Sequence, residues 1–250
     1  MNEEDLSVLD NFDTALESPL DAIEPIEEQK ATPNPDAMLA LLSSSDPQQR
    51  SRGARAFSEI QDARAIPHLI SLLADVCPLI RVSAAYGLGR NPSSEAVEAL
   101  IAQLERDWNG YARKGIVWAL GNCRDRRVIA PLTHALKTDI PAVRLWAASA
   151  LAQGIYFEYE DIVKAIPPLI QGLRRDPIAA VRSNCAWTIG QLCRELPSNA
   201  IYGTAIDALL EALVEDEEMG VTEDARAALL KVGDPRGIQT IEDLEREGFI

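Results

Sequence analysis

Residues 126–153, RRVIAPLTHALKTDIPAVRLWAASALAQ, decide the fold. They open on a polar corner and continue as a first helix with apolar residues at Val128, Ile129, Leu132 and Leu136. A turn follows over Lys137 to Pro141, and then a second, Ala-rich helix with Arg144 near its start. At helical periodicity the apolar positions of each segment fall on one stripe. Neither helix can bury its stripe alone, so the hairpin needs a neighbour on each side.

The chain supplies those neighbours. The opening of the first helix recurs as DARAIPHLISLL from Asp62, SEAVEALIAQL from Ser94, DRRVIAPLTHAL from Asp125, DIVKAIPPLIQGL from Asp161, GTAIDALLEAL from Gly203 and DPRGIQTIEDL from Asp234. Aligned on Ile66, Val97, Ile129, Ile166, Ile206 and Ile238, the spacings are 31, 32, 37, 40 and 32 residues. A second landmark is an acidic turn residue followed by an arginine: Asp46/Arg50, Asp75/Arg81, Asp107/Arg113, Asp139/Arg144 and Asp176/Arg182. Self-similarity at this period predicts an all-α solenoid of about six helical hairpins. Pro67, Pro131, Pro167 and Pro168 are expected in the first turns of first helices, where a missing N–H costs nothing.

These landmarks resemble HEAT repeats, in particular the short kind of the cyanobacterial phycobilin-lyase-like proteins. The G-D-x-R-x-I corner stands nearly whole at Gly233 to Ile238. The resemblance covers roughly residues 36–250 and implies a right-handed superhelix in which the Asp and Arg side chains stack between neighbouring repeats. Thr222 stands where the sixth arginine is expected, so the ladder should end there, with a final helix from Arg236 to Glu247 as cap.

Composition narrows the class. The four cysteines show no paired spacing, no apolar run is long enough to span a bilayer, and the N-terminus lacks a basic region followed by an apolar core. These features predict a protein of a reducing compartment, the cytoplasm, with no membrane insertion. The chain is 47% hydrophobic but only 5% aromatic, so its core must be mostly Ala, Leu, Ile and Val. A net charge of −15 argues against a nucleic-acid partner, although Arg124, Arg126 and Arg127 lie together.

Residues 1–35 carry ten acidic residues and a single Lys, with apolar residues scattered among Pro and Asp, and read as a disordered acidic tail with a transient helix from Leu6 to Leu16. The tail serves as a solubilising extension or as a peptide that docks on a partner or on the solenoid itself. The first hairpin, Asp36 to Ile60, is degenerate and should cap the stack. Insertions at Gly154 to Asp161 and Arg194 to Gly203 fall between repeats and should project from one edge. The first contains Tyr156, Phe157 and Tyr159, and either binds a ligand or covers a longer hairpin.

Counting from each ladder arginine separates the faces of the second helix. Positions three, four and seven are Ala84, Ala85, Leu88; Ile116, Val117, Leu120; Ala147, Ala148, Leu151; and Cys185, Ala186, Ile189, a buried stripe. Position eight is Gly89, Gly121, Ala152 and Gly190, small enough for close helix contact. Positions two, five and nine fall opposite, as Ser83, Tyr86, Arg90; Gly115, Trp118, Asn122; Trp146, Ser149, Gln153; and Asn184, Trp187, Gln191. Three of the four tryptophans lie on this outward stripe, which the resemblance places on the concave surface. Large rings on a face that need not be buried mark a recognition surface, and amides beside them satisfy polar groups of a ligand. The competing reading is that the rings pack between neighbouring second helices. Trp108 lies in a turn, off the stripe, and has no assigned role.

No P-loop, G-x-S-x-G or dinucleotide fingerprint is present. His68 and His134 are the only histidines, and the His-Glu pairs by which HEAT-type hydroxylases bind iron are missing. Cys185 reads as a core residue and Cys77 as a turn residue. Cys123 ends a second helix beside Arg124 and Arg126, whose charge favours thiolate while the helix C-terminus opposes it. Cys193 ends the equivalent helix two repeats on, too far away to share a metal with it.

The stretches NGYARKGIVWALGNCRDRRVIAPL, from Asn109 to Leu132, and DIPAVRLWAASAL, from Asp139, are similar to the group of these proteins that interacts with A-type iron–sulfur carriers. That resemblance implies a non-enzymatic scaffold whose second-helix groove receives a partner protein, the A-type carrier, in iron–sulfur assembly or iron sensing. It also implies an iron–sulfur cluster held by thiols, with Cys123 the candidate ligand. The alternative is a bilin lyase subunit, its groove holding phycocyanobilin for transfer to or from a phycobiliprotein.

Overall fold

A computed structural model describes residues 33–153 and 157–248. The acidic segment 1–32, with the helix expected over Leu6 to Leu16, lies outside the described residues, as does Tyr156 of the first insertion.

Helix boundaries follow local chemistry. Asp46, Asn109, Asn199 and Asp234 cap helix starts with their side-chain oxygens, and Pro35, Pro47, Pro78, Pro141 and Pro235 open helices where no N–H is needed. The helices form six antiparallel hairpins: α1 (Pro35–Leu42) with α2 (Pro47–Ala56), α3 (Ile66–Leu72) with α4 (Pro78–Arg90), α5 (Val97–Arg106) with α6 (Gly110–Asn122), α7 (Ile129–Thr138) with α8 (Pro141–Leu151), α9 (Tyr159–Arg175) with α10 (Ala179–Cys193), and α11 (Ala200–Glu215) with α12 (Met219–Val232). A last helix, α13 (Pro235–Glu247), closes the stack and buries Ile241. Short 3₁₀ turns at Ala63–Ala65 and Arg126–Val128 lead into α3 and α7. The described residues contain no strand, and the fold is an all-α repeat solenoid.

Successive second helices pack directly on one another, from α2 through α12. Positions three, four and seven after each ladder arginine are fully buried from Ala84 to Ile189. Position six, read from the sequence as neither face, is buried as well, at Gly87, Ala119, Ala150 and Thr188. At two repeat steps position six meets position eight of the preceding repeat. A Cβ on Gly121 would stand 2.8 Å from the Ala150 Cβ, and one on Gly190 would stand 2.6 Å from that of Ala228. Small residues on both sides therefore set the helix spacing.

The Arg–Asp pairs are built across repeats. Arg81 donates to Asp107 at 2.7 Å, Arg113 to Asp139 at 2.7 Å, Arg144 to Asp176 at 2.7 Å, Arg182 to Asp216 at 2.7 Å, and Arg50 to Asp75 at 2.8 Å. Each of the four later arginines also donates to the main-chain carbonyl of its own repeat's aspartate. Asp75, Asp107, Asp176 and Asp216 accept a backbone N–H at the start of the second helix as well. Asp216, within the charge run VEDEEMGVTED, is the ladder's last acid. Thr222 follows it, and its hydroxyl donates to the Met219 carbonyl of its own turn.

Two expectations need correction. Pro167 and Pro168 lie inside α9 and not in its first turn, because Tyr159 to Ala165 fold as helix ahead of them. The first insertion accordingly lengthens the first helix to 17 residues, against 10 in α7. Its Phe157 is buried in the core.

Three consequences concern stability. Gly190→Ala should lower it by about 1–3 kcal/mol, because the new methyl meets the backbone of Ala228. Gly220→Ala, with nothing within 4 Å of the new methyl, should raise it by about 0.5 kcal/mol in the same denaturant titration. Arg81→Leu should cost about 3–5 kcal/mol by stranding the buried Asp107 carboxylate. Burial pushes the Asp107 and Asp176 carboxyls up, but hydrogen bonds from Arg81 and Arg144 and from backbone N–H groups outweigh it and hold both below the ordinary range. Arg182 does the same for Asp216. Folded-state values below the unfolded ~3.9 mean that the contribution of these three carboxylates is complete above about pH 5. It is lost as pH falls through the folded values, and Asp107→Asn should flatten that acid limb in pH-dependent unfolding.

Candidate binding face

The outward stripe starts from the helix spacing just described. With Gly89 at position eight of α4, the Trp118 ring of α6 lies against that backbone: a Cβ on Gly89 would stand 2.2 Å from the Trp118 Cζ3. Tyr86 packs on the same indole with ring centroids 5.5 Å apart and planes inclined at 44°. On the next repeat, Lys114 Nζ sits 5.4 Å from the Trp146 ring centroid. Trp118 and Trp146 are half-buried, and Trp187 on α10 is 40% exposed. The rings are thus partly packed between second helices and partly open to solvent. Both readings of the stripe describe part of each side chain.

A cleft of about 490 Å³ opens where α4 and α6 end, lined by Gly89, Arg90, Trp118, Asn122, Arg124 and Gln153 among others. A smaller recess of about 80 Å³ continues from it past Trp118, Asn122 and Gln153 to Trp146 and Ser149. Of the stripe residues, Arg90, Trp118, Asn122, Trp146 and Gln153 share this continuous surface, with Tyr86 supporting the indole. Asn184, Trp187 and Gln191 do not reach it. Asn184 donates to the Leu145 carbonyl at 3.4 Å and Gln191 accepts from Lys231 at 2.7 Å, so both amides serve repeat packing.

Sequence periodicity missed Gln61, Pro92 and Arg124, which also line the cleft. They lie in inter-repeat turns, outside any helical count. The three clustered arginines differ in their partners. Arg126 pairs with Asp161 at 2.5 Å and Arg127 with Asp125 at 2.6 Å, whereas Arg124 has no ion-pair partner among the described residues.

The thiols offer little chemistry. Burial pushes the Cys123 thiol up; the Ser93 backbone N–H and the Arg127 charge work against that without reversing it. Burial raises Cys193 to about 12 and Cys185 further still. Among the described residues no three His, Cys, Asp or Glu side chains converge as a metal-ligand set, and Cys123 alone does not fit an iron–sulfur cluster. Trp108, 75% exposed in its turn, has the Arg81 guanidinium 5.8 Å from its ring centroid and so shields the ladder. None of the described helices is long and apolar enough to cross a membrane.

Comparisons with known proteins fit this architecture. Over 117 residues the chain is 35% identical to the bilin biosynthesis protein RpcF of Synechococcus sp. (strain WH8020), covering 39% of this chain and 56% of that one, little more than half its length. Over 170 residues it is 25% identical to the uncharacterized phycocyanin operon protein Z of Pseudanabaena tenuis (strain PCC 7409), covering 66% and 77% of the two chains. Its backbone superposes with a TM-score of 0.59 on computationally designed armadillo repeat proteins for modular peptide recognition, at 21% identity over 79% of this chain and 98% of theirs. The HEAT-repeat model matches residues 35–114, 97–156 and 166–248, and over that span the chain belongs to the HEAT-repeat family.

Proposed function

We propose that this protein is a non-enzymatic binding scaffold that receives a phycobiliprotein on its second-helix face. The observation that carries this reading is the row of partly open indoles, Trp118, Trp146 and Trp187, held at fixed spacing by the stacked repeats. Rigid rings anchored by packing lose little entropy on binding, which is why such side chains dominate recognition energetics. The relatives in bilin biosynthesis and the phycocyanin operon support a partner from the phycobilin system.

A second reading is favoured by the cleft beside Trp118. Its volume of about 490 Å³ lies in the range of small-molecule sites. There the same face would hold an open-chain tetrapyrrole such as phycocyanobilin, and the chain would act as a lyase subunit or a lyase-like chaperone. A link to iron–sulfur assembly would use this face for an A-type carrier, with any cluster ligated by the carrier's side.

The double substitution Trp118→Ala and Trp187→Ala should weaken capture of a purified phycobiliprotein subunit at least tenfold, with the helical circular dichroism unchanged. Undiminished capture by the folded variant would exclude the face as the docking surface.

A further inference from the structure

Two guanidinium groups line the cleft without a carboxylate of their own. Arg126 and Arg127, which follow Arg124 in the same turn, are each engaged by aspartate. Arg90 ends α4 and Arg124 follows α6; both are exposed, and neither has an ion-pair partner among the described residues, in a chain of net charge −15.

Arg124 carries a second signal. Its φ of 51° lies in the left-handed region, where a side chain is disfavoured and glycine is not. The other positive-φ positions among the described residues, Gly233 and Gly248, also follow helices and are both glycine. The turn at 124 would therefore be more stable with glycine, and the fold keeps an arginine there at the mouth of a cleft. Such local strain collects at sites that serve a ligand.

We propose that Arg90 and Arg124 form a carboxylate clamp, and that the cleft takes a flat conjugated molecule bearing a pair of carboxylates. The indole of Trp118 supplies a stacking surface. The amides of Gln61, Asn122 and Gln153 supply donors and acceptors for ring N–H and C=O groups. Each guanidinium presents a planar fork that matches a carboxylate through two parallel hydrogen bonds. The proposal rests on the pigment reading above and deepens it by naming what distinguishes the ligand: its carboxylates.

The test uses the full chain with two probes, phycocyanobilin as its free acid and as its dimethyl ester, followed by the visible band and by tryptophan quenching. The wild type should bind the free acid at least tenfold more tightly than the ester. Arg90→Gln with Arg124→Gln should erase that preference and bind both at the level of the ester. Arg124→Gly should raise the melting temperature while weakening the free acid severalfold, a combination that loss of folding cannot produce. Equal binding of acid and ester by the wild type overturns the clamp and leaves the pigment reading standing. No binding of either probe, with phycobiliprotein capture intact, overturns clamp and pigment reading together and leaves the scaffold. Unchanged free-acid affinity in Arg124→Gly removes Arg124 from the site.

Discussion

Each ladder arginine is held between two repeats, and the rest of the stack depends on that contact. Its guanidinium reaches forward to the carboxylate in the turn before the next second helix, and it also reaches back to a carbonyl of its own turn. Arg81 and Asp107 are both buried, so the pair tolerates neither displacement nor the loss of one partner. An aspartate that must at once hold a backbone N–H of its own turn and meet an arginine from the preceding repeat allows one register. A helix slipped by one residue would break both bonds.

That register determines what the second-helix face can be. Small residues at positions six and eight meet across the repeats, and the helices approach until the methyl of Ala150 touches the backbone of Gly121. At this separation a large ring at position five fits only part of its surface between neighbours and leaves the remainder at the solvent. Trp118 shows the compromise, its edge over Gly89 and against Tyr86 while it also lines the cleft. The aromatic surface is therefore a product of the packing, and it is rigid for the same reason.

The two halves of the solenoid treat their first helices differently. In α3, α5 and α7 these run for 7 to 10 residues, whereas α9 and α11 extend to 17 and 16. The inserted residues supply core side chains such as Phe157 and Leu196. Tyr159 and Asn199 join the two lengthened elements through a hydrogen bond of 3.1 Å.

The sequence by itself determined the hairpin, its period, the buried stripe and the outward row, because helical periodicity and an Asp–Arg landmark that recurs five times are local signals. It also located the end of the ladder, from Thr222. Only the tertiary structure decided that Gly121 meets Ala150, that Pro167 and Pro168 lie inside a helix, and that Arg124 joins Arg90 at one cleft. Those facts depend on how far apart successive helices settle and on which way each turn leaves its helix. Contacts between residues some thirty positions apart set both, and the spacing of side chains along the chain does not encode them.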